Sequence, residues 1–415
     1  MTLNYIWIGF FIVAFIIAIF KTFTGNPEIF SLIVNSIFER AELGFKLSIG
    51  LTGIMALWLG IMRIGEKGGA IDLLSKAFSP LFHKLFPEVQ KNSKAHGAII
   101  MNISANMLGL DNAATPLGLK AMAELQKENT NKDRASNAQI LFLVLNTSGL
   151  TLIPTSIIAL RASAMAENNI SGNPTDVFLP ILIATFCSTI AGLILVAIIQ
   201  KINLFQKTII AYLGTAILFI GSLVYYLMNH KSQIEIISSV ASGAIIFSFI
   251  IGFISLGLRK KINIYEEFVE GAKEGFTVAI RIIPYLIAML CAVGAFTASG
   301  AMSYVTYAIG QVFNLFLDNI QFVEALPTAI MKPLSGGGAR GLMVESWGEN
   351  ASQINSFVGR LTSTFQGSTE TTFYVIAVYF GSVGIKNTRY AVLAGLFADI
   401  VGIIAAIILA YIFWG

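Results

Sequence analysis

The chain has 415 residues, of which 55% are apolar and 12% are charged, with a formal net charge of +4 and a mean hydropathy of +0.76. Soluble domains carry about 25% charged residues, so this composition excludes a water-soluble globule, a disordered chain and a nucleic-acid-binding protein. The two isolated cysteines and three histidines have no metal-ligand spacing, so no metal site is expected. The chain is predicted to be an all-α polytopic membrane protein.

Nearly uncharged runs, long enough to cross a bilayer as a helix, recur along the chain. A hydrocarbon core of ~30 Å needs about 20 apolar residues. The longest run is expected to break near Gly294, Ser299 and Gly300, and two other runs contain one acid each, Glu370 and Asp399. The first run follows no basic residue, which favours an uncleaved helix over a signal peptide. The pattern predicts about nine transmembrane helices, over residues 2–20, 47–62, 137–160, 177–200, 208–229, 236–258, 282–317, 361–385 and 390–414.

Two further apolar segments, residues 97–122 and 322–347, are interrupted by proline, glycine and polar residues. Proline and glycine free backbone groups that lipid cannot satisfy. Such backbone persists at membrane depth only where protein or a water-filled cavity surrounds it. Both segments are therefore predicted to be re-entrant helical hairpins.

The two halves of the chain share the order of their sequence features. Residues 41–45 (AELGF) are echoed by residues 272–276 (AKEGF), and Gly69 is echoed by Gly300. A broken hairpin, a matching polar motif (residues 146–151 and 364–369) and a long closing helix follow in each half. The predicted domains are an N-terminal transmembrane helix with its connection (1–35), a first repeat (36–203), two linking transmembrane helices (204–262) and a second, inverted repeat (263–415).

The distribution of lysine and arginine predicts opposite orientations for the two hairpins. Nine basic residues lie within residues 66–136, whereas only Lys332 and Arg340 lie within residues 297–359. Short cytoplasmic loops are enriched in these residues, so the first hairpin is expected to enter from the cytoplasm and the second from outside. Inverted repeats with broken helices are the architecture of many secondary transporters. The basic residues that do not fit this pattern are Lys21, Arg40 and Lys46.

Ionisable groups within a membrane are costly and by default indicate a functional site. The second hairpin carries two cations beside a Ser-Gly-Gly-Gly turn, whose backbone N–H groups can form an anion-binding nest. A guanidinium adds a planar fork suited to a carboxylate or phosphate. The alternative is a tight turn in which Arg340 pairs with Glu345 or Glu370. The candidate substrate-binding residues here are Lys332, Ser335, Gly336, Gly337 and Arg340.

A run of small hydroxyl residues surrounds Glu370 in a later predicted span. Such a surface is unsuited to lipid and can line a cavity, where an acid accepts a proton or binds a solute amine. The alternative is a buried ion pair between Glu370 and Lys332 or Arg340. The candidate residues are Gln366, Ser368, Thr369 and Glu370.

The first half has two oxygen-rich clusters, one in the first hairpin and one where Gly149 and Pro154 interrupt a predicted helix. Hard cations such as Na⁺ prefer oxygen ligands, and unwound helices expose carbonyl groups that can supply them. Alternatively, these side chains only hold helices together, because serine, threonine and asparagine often hydrogen-bond across membrane helices. The candidate residues are Asn102, Ser104, Asn106, Asp111, Asn112, Asn146, Thr147 and Ser148.

These motif blocks resemble the Gate, or nucleoside-recognition, superfamily. Residues 102–106 (NISAN) and 111–116 (DNAATP) are similar to the spore maturation A family, and residues 332–336 (KPLSG) and 367–371 (GSTET) are similar to the spore maturation B family. Over most of its length the chain therefore resembles a fusion of the two. Relatives in the superfamily include concentrative nucleoside transporters and the membrane part of ferrous-iron permeases. The resemblance implies a transporter-like fold with two gate units and leaves the substrate open.

The expected function is secondary transport of a small polar solute by alternating access between the two re-entrant hairpins. Acids and bases together favour an anionic or zwitterionic solute, such as an amino acid or small carboxylate, and the resemblance adds a nucleoside. Na⁺ and protons are the candidate coupling ions, with no other cofactor. The expected partners are the solute, the lipid bilayer of the cell inner (plasma) membrane and a second copy of the chain in a homo-oligomer, with no nucleic acid.

Two other functions compete with transport. A membrane-embedded enzyme is disfavoured, because no predicted span contains a histidine and no HExxH-like pattern is present. A non-transporting maturation or assembly factor for another membrane complex stays open as the alternative.

Overall fold

The computed structural model describes residues 2–90, 93–109, 111–230 and 233–415, and the described residues form helices with one isolated β-bridge. The prediction of an all-α polytopic membrane protein is confirmed. A π-helical segment, Ile210–Gly214, joins the short helix Lys207–Ile209 to the helix Thr215–Asn229. The helices are α1 (Thr2–Phe23), α2 (Ile29–Gly68), α3 (Ala70–Leu85), α4 (Lys94–Met107), α5 (Asp111–Glu128), α6 (Asn137–Ser148), α7 (Thr155–Glu167), α8 (Phe178–Gln200), α9 (Lys207–Ile209), α10 (Thr215–Asn229), α11 (Ile234–Lys260), α12 (Ile264–Ala298), α13 (Ala301–Phe313), α14 (Leu326–Met331), α15 (Gly336–Ser346), α16 (Phe357–Ser368), α17 (Thr372–Ser382) and α18 (Ala391–Trp414).

Six of the described helices are long and apolar enough to cross a membrane: α1, α2, α8, α9–α10 taken together, α11 and α18. The pair α12–α13 is a seventh candidate, bent by 71° at the break expected near Ser299 and Gly300. Gly294 does not break the helix, because it lies inside α12 and lets that helix approach Arg40 closely. The predicted spans over residues 137–160 and 361–385 are each divided into two short helices, which accounts for the difference from nine.

The described residues form two compact units, each drawn from both halves of the chain. Unit 1 comprises those of Met1–Leu59, Ser156–Pro174 and Ala272–Gln366. Unit 2 comprises those of Gly60–Thr155, Thr175–Gly271 and Gly367–Gly415. Each unit thus contains one helical hairpin, with α14–α15 in unit 1 and α4–α5 in unit 2.

The same order of elements occurs twice along the chain. A long helix (α2, α12), a short helix (α3, α13), a hairpin, an interrupted helix and a closing helix (α8, α18) follow one another in each half. Gly69 and Gly300, which precede α3 and α13, both have a φ of 88°. Glycine adopts this left-handed conformation without steric cost, so it allows the same sharp turn in both halves. The domain boundaries and the inverted orientation stay predictions.

Local sequence signals place the helix ends. Ser136 and Gln139 form a capping box at the start of α6, and Gly149 ends that helix with a φ of 60°. Ser93 caps α4 by accepting a hydrogen bond from the backbone of His96 at 3.1 Å. The predicted hairpin over residues 97–122 corresponds to α4 and α5. Its re-entrant position in the membrane stays a prediction.

Unit 2 has a continuous apolar core around α4, α6 and α8, in which Phe142 and Ile99 are fully buried. By contrast, α10 leaves most of its large side chains exposed, including Leu218 at 74% and Phe219 at 65%. A helix with this much exposed apolar surface is typical of a lipid-facing position.

Candidate functional site

Three asparagines and a tyrosine form a hydrogen-bonded group in unit 2, which we call the amide cluster: Asn102, Asn106, Asn146 and Tyr379. Asn106 Nδ2 donates to Asn146 Oδ1 at 2.6 Å, and Tyr379 Oη donates to the same oxygen at 3.4 Å. Asn102 Nδ2 donates to the Ala114 carbonyl at 2.7 Å and to Tyr379 Oη at 3.4 Å. The cluster therefore joins the first hairpin to α6 and α17.

The local sequence explains how the cluster is held. Asn102 and Asn106 are four residues apart on α4 and share one face of the helix. Asn146 also donates to the carbonyl of Phe142 at 2.8 Å, and Tyr379 stacks on the Phe142 ring at a centroid distance of 5.7 Å. Asn102 is fully buried, and its Oδ1 has no hydrogen-bond partner among the described residues. An unsatisfied buried acceptor costs about 1–3 kcal/mol, so a solute donor would be favoured there.

The breaks in the two interrupted helices touch each other in unit 2. The backbone N–H of Glu370, between α16 and α17, donates to the Thr147 carbonyl at 2.8 Å. A Cβ on Gly149 would lie 2.9 Å from Glu370 Cγ, so both the close approach and the positive φ require glycine. Glu370 is exposed at this break, which does not fit the alternative of a buried ion pair.

Several predicted hydroxyl groups are engaged within their own helix or by a neighbouring helix. Thr147 and Ser148 each donate to a carbonyl three residues back in α6, at 3.0 and 3.2 Å. Ser104 Oγ lies 3.3 Å from Ser75 Oγ of α3. Thr369 packs against α18. These contacts support the helix-packing interpretation for Thr147, Ser148, Ser104 and Thr369.

The remaining predicted residues of unit 2 are Ser368, which is buried, and Asp111 and Asn112, which begin α5. The side chains of Asp111 and Asn112 lie outside the described residues. In the same unit, buried Asp399 of α18 accepts a hydrogen bond from Thr372 Oγ1 of α17 at 2.7 Å, and this bond anchors the two helices to each other.

In unit 1, the second hairpin places polar groups at the start of α15. Ser335 caps this helix, and its Oγ accepts a hydrogen bond from the backbone of Gly338 at 3.0 Å. Gln366 Nε2 donates to the Gly336 carbonyl at 3.2 Å. Gln366 Oε1 is buried and has no hydrogen-bond partner among the described residues. The positive end of the helix dipole and two cationic side chains of the same hairpin, buried Lys332 and half-buried Arg340, suit an anionic group.

The glycines of this turn have different structural roles. A Cβ on Gly338 would lie 2.9 Å from Met331 Cγ and 3.1 Å from Met289 Cε, so packing requires glycine there. Gly337 is exposed, and a Cβ there would approach only Ser335 Oγ, at 4.0 Å. Neither packing nor a positive φ requires glycine at position 337. Its absent side chain leaves the backbone open to approach.

Two cations outside the predicted sites, half-buried Arg40 and fully buried Arg161, hold elements of unit 1 together. Arg40 of α2 forms a two-point ion pair with Glu345, with Nε–Oε2 and Nη2–Oε1 distances of 2.9 Å. Arg161 of α7 is fully buried and donates to the carbonyls of Pro174 and Ile354 at 3.2 and 3.0 Å. In the sequence, Arg40 and Arg161 are each recognisable only as a cation at the edge of an apolar run.

The structure thus brings the predicted residues together in two groups, one in each unit. Unit 2 assembles uncharged amides beside an exposed acid, and unit 1 assembles a capped helix start with two cations. The group in unit 2 is Asn102, Asn106, Asn146, Thr147 and Glu370, and the group in unit 1 is Lys332, Ser335, Gly336, Gly337, Arg340 and Gln366.

Comparison with known proteins follows the same two-part pattern. The family model described as "Gate: Nucleoside recognition" matches residues 48–164 and 279–386. The chain belongs to the Gate family. Each match contains one hairpin and one interrupted helix.

Two curated relatives each match part of this Gate protein. Spore maturation protein A of Bacillus subtilis (strain 168) is 36% identical over 192 residues, which cover 46% of this chain and 92% of the relative. Spore maturation protein B of the same organism is 41% identical over 175 residues, which cover 41% of this chain and 94% of the relative. The resemblance to both spore maturation families is confirmed.

Proposed function

We propose that this Gate-family protein is a secondary transporter of a small polar solute in the cell inner (plasma) membrane. The observation that carries the proposal is the placement of its polar groups. In each unit they gather at a hairpin, and in unit 2 also at the two helix breaks, where backbone groups are freed from helical hydrogen bonding. Broken helices of this kind form the solute and ion sites of many secondary transporters. The transport step is alternating access between the two hairpins, and no enzymatic reaction is assigned.

The charges of the two groups favour an anionic or zwitterionic solute. Arg340 and Lys332 lie in the hairpin whose α15 N-terminus favours negative charge. The exposed carboxylate of Glu370 supplies the opposite charge in unit 2. The solute classes that fit are an amino acid, a small carboxylate and a nucleoside. Oxygen atoms at the helix breaks are suited to Na⁺, and Glu370 is suited to proton coupling.

Reconstituted protein tests this function. Purified wild-type protein in liposomes is given a panel of radiolabelled amino acids, small carboxylates and nucleosides, with and without Na⁺ and proton gradients. The proposal predicts protein-dependent uptake of at least one class, which Arg340→Ala and Glu370→Gln reduce. Absence of flux across the whole panel and all gradients contradicts it.

The names of both relatives, which describe spore maturation, favour a second candidate, a maturation or assembly factor that transports nothing. Complementation of a deletion strain separates the candidates. Full rescue by Arg340→Ala and by Glu370→Gln supports the assembly factor, because a scaffold does not need these side chains. Failure of both variants, at wild-type membrane abundance, supports transport.

A further inference from the structure

A cavity of about 300 Å³ lies wholly within unit 2 and is bordered by Leu150 and Leu152 of the break between α6 and α7. Its walls come from α3, α4, α8 and α10, together with the segment between α6 and α7. Except for Asn106, Thr189 and Tyr212, the lining side chains are hydrophobic, and no charged side chain occurs among them. The volume lies at the lower end of the range for small-molecule sites.

The few polar groups of this cavity are placed to orient a ligand. Asn106 belongs to the amide cluster, so one wall of the cavity is continuous with a hydrogen-bonded network. Thr189 Oγ1, on α8, is buried and has no hydrogen-bond partner among the described residues. An uncharged hydroxyl or amide group can satisfy it. A charged head would lose its hydration without gaining a counter-ion, which is strongly unfavourable.

The backbone of one wall is irregular at this cavity. Tyr212 and Leu213 lie in the π-helical segment Ile210–Gly214 and line the cavity. Tyr212 Oη donates to the Ala77 carbonyl of α3 at 2.6 Å, which fixes α3 to this segment. Insertions that create π-helical turns occur frequently at functional sites. The segment therefore gives a second, independent indication of a binding site.

We propose that this cavity binds a free single-chain amphiphile with an uncharged head. The aliphatic chain lies among the apolar side chains of α3, α8 and α10, and the hydroxyl or amide head meets Thr189 and Asn106. The site lies in unit 2 alone and shares only Asn106 with the amide cluster, and its test measures binding to the cavity walls instead of flux. Its outcome is therefore separate from that of the flux assay.

Photolabelling of the whole protein in lipid nanodiscs tests the proposal, with a diazirine-bearing octanol as the probe. Labelled residues are mapped by mass spectrometry, and unlabelled 1-alkanols from butanol to decanol compete. The expected result is labelling concentrated on the cavity walls of α8 and α10. The affinity of the competitors should rise about fourfold per methylene, the value for burial of one CH₂ group, until the cavity is full.

Two substitutions on α10 form a matched pair. Ala216→Trp fills the cavity and is expected to reduce labelling of its walls at least tenfold. Leu218→Trp adds the same ring on the same helix, at a position that is 74% exposed, and should leave labelling unchanged. Thr189→Val keeps the shape of the side chain and removes its hydroxyl, so the affinity for octanol should fall about fivefold. This third variant keeps the test valid if Ala216→Trp does not fold.

Three results would overturn the proposal. One is equal labelling of the cavity walls in the wild type and Ala216→Trp. Another is labelling spread evenly over the lipid-facing side of α10 without competition by decanol. The third is a co-purified phospholipid that occupies the cavity and blocks the probe, which would assign the site to a bilayer lipid instead.

Discussion

The two hairpins share a place in the repeated order of elements but differ in chemistry. The hairpin α4–α5 presents uncharged amides that hydrogen-bond to α6 and α17. The hairpin α14–α15 presents cations, a capped helix start and a glycine with open space beside it. The backbone turns before them have the same φ, 88°, at both Gly69 and Gly300. The two halves therefore share these turns but differ in their polar groups.

The two polar groups differ in what they can recognise. An amide network that satisfies most of its own hydrogen bonds is rigid and selects by shape and hydrogen bonding. A cationic helix start selects by charge. We expect substitutions in the amide cluster to affect stability, and those at Arg340 and Gly337 of the second hairpin to affect transport.

The largest expected change in transport is at Arg340 of the second hairpin. Removal of a guanidinium that contacts an anionic solute costs about 1.5–3 kcal/mol, so Arg340→Ala should lower the kcat/KM of uptake about 10- to 100-fold. Arg340→Lys should restore only part of it, because an ammonium lacks the planar fork. Uptake into proteoliposomes measures both. Equal uptake by the wild type and Arg340→Ala would show that the cationic charge of the second hairpin has no role in transport.

The next effect concerns the ion pair that supports the second hairpin. Glu345→Gln leaves the Arg40 guanidinium without its counter-charge, at a position where Arg40 is 20% exposed and Glu345 11%. The expected loss is about 2–4 kcal/mol of unfolding free energy. The matched control is the exposed pair Glu42–Lys46 on the same helix, where Glu42→Gln should not change the thermal unfolding midpoint. A similar response in both variants would show that burial of the Arg40 pair is unimportant.

The amide cluster should respond in stability. Asn146→Leu removes the acceptor of the 2.6 Å bond from Asn106 and leaves a donor unsatisfied, which costs about 2–3 kcal/mol. Tyr379→Phe removes only bonds of 3.4 Å and should cost less than about 1 kcal/mol. Denaturation in mild detergent measures both. A larger loss of stability in Tyr379→Phe than in Asn146→Leu would show that the main stabilising contact is made by Tyr379.

The smallest effect separates two neighbouring glycines. Gly338→Ala should destabilise the protein by about 1–3 kcal/mol, because its Cβ would overlap Met331. Gly337→Ala has open space and should leave stability unchanged or raise it by up to about 1 kcal/mol. If a solute approaches the backbone at Gly337, this variant should nevertheless transport more slowly. Normal transport by stable Gly337→Ala would exclude that approach.

Much of the fold could be predicted, because strong local signals determine it. The apolar runs, the glycine turns at Gly69 and Gly300, and the break at Gly149 each act within a few residues. Gly149 and Pro154 indicated the break within residues 137–160, but the span over residues 361–385 could not be distinguished from a continuous helix by composition alone. In the structure, the two breaks lie beside each other, because the backbone N–H of Glu370 donates to the Thr147 carbonyl.

The candidate site was predicted only in part, because its contacts join distant parts of the chain. Asn102, Asn106 and Asn146 were selected as oxygen-rich residues, but Tyr379 was not, since it lies in an ordinary apolar run. The partner of Glu345 is Arg40, which is 305 residues away in sequence. Spacing rules cannot identify partners at such separations.

The central claim is that the two hairpin repeats have opposite orientations in the membrane. Single cysteines at Glu128 and Gln353, both exposed residues near the hairpins, test it in a variant whose Cys187 and Cys291 are replaced by alanine. Intact cells are treated with a membrane-impermeant maleimide before and after permeabilisation. Opposite orientations of the two hairpins predict that Gln353→Cys is labelled in intact cells and that Glu128→Cys is labelled only after permeabilisation. Labelling of both residues from the same side would contradict the inverted repeat and the alternating-access mechanism that depends on it.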